Sequence, residues 1–155
     1  MSFSSLLEHP ALALYSIPAV WVLAYVPAFL KNATITRAAG WDNVAPRENI
    51  ARVRDAEKTA LIKRMDGAHQ NGLEILPLWI GAVLAGTATH LDTRTMNVSA
   101  VSFITLRALY VYVYVTHKTS LQSLARTFLW LGSTGIALRL LLKAGSSVTG
   151  EYSLA

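Results

Sequence analysis

There is no cysteine among the 155 residues of this chain. That excludes a disulfide scaffold, a thiolate metal site and a cysteine nucleophile. Charge is scarce as well. Asp, Glu, Lys and Arg make up 15% of the sequence, against roughly 25% in an ordinary soluble domain. With 53% hydrophobic residues and a mean hydropathy of +0.39, it cannot be a disordered chain. The sequence also lacks internal repeats, a P-loop, a Rossmann glycine pattern and the alternation that marks strands. No second histidine follows His69 at helical ligand spacing, so no metal site is expected.

What is present is long apolar blocks. A bilayer core of ~30 Å needs about 20 mostly apolar residues as a helix. Four stretches meet this: 12–30 with no charge, 71–89 with Glu74 alone, 98–116 with Arg107 alone, and 121–142 with Arg126 and Arg139. Backbone groups in lipid must be satisfied internally, so these blocks are helices. The fold expected is an all-α, integral membrane, up-down four-helix bundle in a single domain. Its helices run over 12–30, 50–89, 98–116 and 121–143, with a loop over 31–49. Pro46 followed by Glu48 resembles a start for the second helix.

The net charge is +5. A nucleic-acid binder would carry such charge on a water-facing surface. Here it flanks apolar blocks, so the partner expected is the lipid bilayer and not nucleic acid. Eight of the 14 basic residues fall within 31–70. Lys and Arg accumulate on the cytosolic side, which places 31–70 in the cytosol and both termini in the lumen or exterior. The sequons at Asn32 and Asn97 both lie beside a span, and neither is expected to carry a glycan.

Ionisable residues inside membrane helices usually face the bundle interior or a water-filled cavity. On the second helix Gln70, Asn71 and Glu74 cluster, with Asn71 and Glu74 on one face. On the third, Arg107, Tyr110 and Tyr114 form a stripe that leaves out Tyr112. On the fourth, Ser123 and Arg126 are i, i+3. Glu74, Tyr110, Tyr114 and Arg126 lie at similar depth in the cytosolic half and suit a polar, multiply charged ligand. The structural alternatives are a Glu74–Arg107 pair, belt tyrosines and a snorkelling Arg126.

Three motifs carry a resemblance. Gly67-Ala68-His69-Gln70-Asn71-Gly72-Leu73-Glu74-Ile75-Leu76-Pro77 resembles the second-helix motif of the MAPEG family, the membrane-associated proteins in eicosanoid and glutathione metabolism. Gly40-Trp41-Asp42-Asn43 with Pro46-Arg47 resembles the first cytosolic loop of a bacterial and fungal branch. Arg107-Ala108-Leu109-Tyr110 with Tyr114 resembles the third-helix pattern.

The resemblance implies a homotrimer that binds glutathione between neighbouring subunits, in the endoplasmic reticulum of a eukaryote or the inner membrane of a bacterium. It implies that Asn71, Glu74, Tyr110 and Tyr114 contact the tripeptide and that Arg107 partners Glu74, with Gln70 and Ser123 completing the binding set. Two positions depart from the pattern: Gly67 and Ser123 stand where relatives carry arginine. Arg126, one turn beyond Ser123, is then the expected thiolate partner, with Tyr114 as a hydrogen-bond donor. The function expected is a glutathione-dependent transferase or isomerase acting on a lipophilic electrophile. Two alternatives keep the fold: a glutathione-independent isomerase or cyclase, and a non-catalytic protein that binds and presents lipid.

Overall fold

The structure is a computed structural model that describes residue 5 and residues 7–152; the two chain ends lie outside the described residues. Among those residues there are four long helices and no strand: α1 Leu12–Ala39, α2 Ala56–Ala88, α3 Thr93–Thr116 and α4 Ser120–Tyr152. Each has the length and hydropathy to cross a membrane. The chain is an all-α four-helix membrane bundle.

Successive helices run antiparallel, as the contacts along them show. Ser16 of α1 meets Trp79 of α2, while Lys31 further along α1 meets Asp66. Trp79 and Phe103 join α2 to α3 in mid-bundle, and Arg64 donates to the Val115 carbonyl at its basic end. The α1–α2 crossing is close. A Cβ on Gly72 would sit 2.9 Å from the Ala24 Cα, so only glycine permits this approach.

Helix ends differ from the sequence expectation. The loss of apolarity at Lys31 marks the end of the span and not of the helix, for α1 continues to Ala39. At about 42 Å it exceeds the ~30 Å hydrocarbon layer. Its last turns are held by Ile35, which is buried with Val53 and Ile62, and by the Lys31–Asp66 ion pair at 2.6 Å. Gly40, with φ +73°, terminates it. The second helix does not begin near residue 50. A single 3-10 turn, Asn49–Arg52, stands there, and α2 starts at Ala56 under an Asp55 cap that accepts from Lys58 N at 3.0 Å. That backbone bond holds the Asp55 carboxyl below its ordinary pKa. Asp92 caps α3 in the same way through Thr95 N, which moves that helix's start back to Thr93. α4 runs on past the expected 143 to Tyr152.

Two buried asparagines organise the connections. Asn49 is fully buried. Its side chain accepts from Asp42 N at 2.9 Å and donates to the carbonyls of Asp42 and Pro46 at 2.8 and 3.2 Å. The segment between α1 and α2 is therefore a built loop. Asn97 is 1% exposed; its amide donates to the Leu7 and His9 carbonyls and accepts from Ala13 N. The second sequon thus has its acceptor asparagine inside the protein, in line with the expectation that it carries no glycan.

Candidate ligand-binding site

Near the basic end of the bundle lies a hollow of about 250 Å³ lined by Gly67, Gln70, Asn71, Glu74, Tyr110, Tyr114 and Arg126. Helical spacing places them there. Residues three and four apart share a face, so α2 presents Gly67, Gln70, Asn71 and Glu74 together, and α3 presents Tyr110 and Tyr114. Of the residues singled out in the sequence, Arg107 and Ser123 do not reach the lining. Tyr112, off the α3 stripe, is 67% exposed.

Arg107 stands behind the hollow. It is 2% exposed, and its Nη2 donates to Asn71 Oδ1 at 3.0 Å. Asn71 in turn donates to Glu74 Oε2 at 3.4 Å. The direct Glu74–Arg107 pairing expected from the sequence is absent. Asn71 stands between the two groups, because its i, i+3 relation to Glu74 brings the amide to the carboxylate first. Among the described residues the ion pairs are Lys31–Asp66 and Lys58–Asp55. The Arg107 guanidinium also lies 4.3 Å from the Tyr110 ring centroid, a favourable cation–π distance. Its Nη1 is buried with no hydrogen-bond partner. An unmatched buried donor on a charged group is expensive and marks a place where a further acceptor belongs.

Tyr114 is clamped on three sides. Its ring meets Tyr110 edge-on at 5.5 Å, and the Arg126 guanidinium lies 4.4 Å from its centroid. Its hydroxyl sits over Gly67, where an added Cβ would come within 2.5 Å of the oxygen. The sequence marked Gly67 only as a missing arginine; packing shows that the phenol of Tyr114 takes the space a side chain would need. Arg126 faces the hollow and donates to Ser123 Oγ at 3.3 Å. Ser123 supports the guanidinium and is one step removed from any ligand. Gln70 donates to Asp66 Oδ2 at 2.9 Å, so its amide nitrogen is engaged.

Sequence reading passed over Asn49 and took Gly67 only for a missing arginine. The first is an ordinary polar residue in a loop, and the second is legible only through what occupies its empty side. His69 meets the Ala24 carbonyl through Nδ1 at 2.9 Å. No group of three metal-ligating side chains occurs among the described residues.

The four membrane-length helices define an integral, multi-pass membrane protein, and a polar hollow is recessed among them. Residues 11–146 match the model of the MAPEG family, and the chain belongs to that family. Comparison with curated proteins and with solved structures gave no match in either case.

Proposed function

We propose that the protein is a glutathione-dependent membrane enzyme, a transferase or isomerase that acts on a lipophilic electrophile. The observation that carries this reading is the mixed charge of the hollow: one acid, one guanidinium, two amides and two phenols in a single lining. Glutathione has an ammonium, two carboxylates and two peptide groups, and charge-assisted bonds to each are the strong ones. Glu74 suits the ammonium. Arg126 suits a carboxylate or the thiolate, Gln70 and Asn71 suit peptide groups, and the unmatched Nη1 of Arg107 brings a second positive charge close behind them.

When bound, glutathione supplies a thiol, and a neighbouring guanidinium favours its nucleophilic thiolate form. The chain's own part is to position and to stabilise charge. Ser123 and the Tyr114 ring hold Arg126 in place. Tyr114 offers its hydroxyl as a donor at the same wall, and Arg107 fixes Asn71, which fixes Glu74. Arg126 and Tyr114 are the catalytic residues of this reading. The active unit is a homotrimer in the endoplasmic reticulum or a bacterial inner membrane. Residues 31–70 lie in the cytosol and the termini on the opposite side, and the lipophilic partner enters from the bilayer.

The geometry at Gly67 favours a second reading, a glutathione-independent isomerase. The Tyr114 phenol fills the space of a residue-67 side chain, leaving Arg126 as the cation in the lining. One assay separates the two. Purified protein should conjugate glutathione to a chromogenic aryl halide, and Arg126→Ala should lower kcat/KM about 100-fold, as loss of one charge-stabilising donor does. Turnover of a lipophilic substrate that persists without thiol would support the second reading. Binding with no turnover of either kind would leave lipid presentation as the role.

A further inference from the structure

Tyr114 stands two residues before the end of α3 at Thr116. That is a poor place for a side chain that must hold still. The last carbonyls of a helix have no partner within it, and helix ends fray. The proposed reaction nevertheless asks the Tyr114 phenol to stay over Gly67 and beside Arg126. This end of α3 has to be tied down.

Two side chains tie it. Arg64 of α2 donates through Nε to the Val115 carbonyl at 3.0 Å. His117, the first residue beyond the helix, meets the Tyr114 carbonyl through Nδ1 at 2.8 Å. A carbonyl only accepts, so Nδ1 carries the hydrogen. The Arg64 bond holds backbone alone. The imidazole does more, for it also stands edge-on to the Tyr114 ring, with centroids 6.0 Å apart and planes at 87°. His117 thus grips one residue twice, by its carbonyl and by its ring. Its own backbone leaves the helix in an extended conformation, with its N–H on the Val113 carbonyl at 2.9 Å.

Tyr110, the Arg126 guanidinium and Gly67 stand on the other sides of the ring, and the imidazole completes the enclosure. His117 is half-buried and takes no part in the lining of the hollow. Its effect on a ligand there has to pass through Tyr114.

We infer that His117 is a positioning residue: it holds the Tyr114 ring at the end of α3 and so keeps the hydroxyl at the wall of the hollow. The inference rests on the proposed function, in which Tyr114 serves a bound thiol.

The test uses the full chain in detergent, with 3-fluorotyrosine in place of Tyr114 and fluorine NMR recorded without glutathione. His117→Ala should shift or broaden the resonance. His117→Phe keeps a ring at the wall and should restore it. His117→Asn keeps a donor for the carbonyl but no ring, and should not. Should His117→Ala fail to fold, the contrast between Phe and Asn decides alone. Calorimetric titration of glutathione then reads the consequence. Affinity should be about fivefold weaker in His117→Ala, the size of a lost aromatic contact, and should recover in His117→Phe. In a Tyr114→Leu background, His117→Ala should weaken it no further, because the ring through which it acts is gone. A resonance indifferent to His117→Ala, or restored by Asn and not by Phe, would overturn the inference and leave His117 a helix cap. So would an undiminished fivefold loss in the Tyr114→Leu background. If the natural chain gives no heat with glutathione, the enzymatic reading fails, and the fluorine resonance still decides whether His117 places the ring.

Discussion

The two ends of the bundle solve the problem of buried polar groups in opposite ways. Away from the basic loop, Trp79 and Phe103 stack at 4.0 Å, nearly parallel, and both are fully buried. The one polar atom of the two rings, the indole nitrogen, donates to Ser16 Oγ at 3.0 Å, and Ser16 passes the chain on to the Ala13 carbonyl. Both donors of this short chain are matched. At the basic end, Arg107 is buried with one nitrogen unmatched, and the groups around it open into a hollow. A closed network holds helices together; an open one, in the same bundle, is where a ligand can complete what the protein leaves unfinished.

Substitutions should separate the two ends. The largest effect belongs to the closed end. Trp79→Ala removes a fully buried indole and should destabilise the fold by about 3–5 kcal/mol, measured by denaturant titration in mixed micelles. Glutathione affinity of the molecules that remain folded should not change. Arg107→Met should show the reverse. Trading a buried charge for an apolar side chain of similar length is often neutral or stabilising, so the denaturation midpoint should hold or rise. Glutathione affinity should fall at least tenfold, because Asn71 and Glu74 lose their anchor. If Arg107→Met instead unfolds the protein, the open end is structural like the closed one and the contrast fails.

Gly67→Ala probes a single contact. The new Cβ would meet the Tyr114 hydroxyl at 2.5 Å but the ring carbon behind it only at 3.0 Å. Glutathione affinity should drop by about tenfold as the phenol is displaced. Adding Tyr114→Phe should recover part of the stability lost, since the clashing oxygen is gone. Additive effects on the melting temperature would mean that the phenol does not rest on Gly67.

The smallest effect lies outside both ends. Asp55 and Asp92 cap α2 and α3, and backbone N–H bonds hold both carboxyls below their ordinary pKa. A lowered folded pKa adds stability above the unfolded value, about 3.9, and that stability is lost as pH falls through the folded value. Helical signal should therefore be flat from neutral pH to about 5 and decline below 4. Asp55→Asn keeps a capping oxygen and should flatten part of that decline.

Much of this architecture is legible in the sequence because lipid imposes its own rule: apolar runs of sufficient length must be helices. The four spans follow from that rule. The ends of the helices do not, since α1 leaves the apolar layer at Lys31 and stays helical for two more turns on the strength of tertiary contacts such as Ile35 with Val53 and Ile62. Helical spacing also predicts which polar side chains share a face, and six of them line one hollow. Spacing is silent on partners across helices. It left Arg107 to Glu74, whereas Asn71 stands between them, and it treated Gly67 as a loss when the glycine is the seat of Tyr114.

The most direct test of the central claim is calorimetric titration of glutathione into the purified protein in detergent, alongside Glu74→Gln and Arg126→Ala. The account predicts saturable binding in the natural chain, weakened about tenfold or more in each variant, because acid and guanidinium serve opposite charges of one ligand. Absence of heat at millimolar glutathione, or binding indifferent to both substitutions, would contradict it.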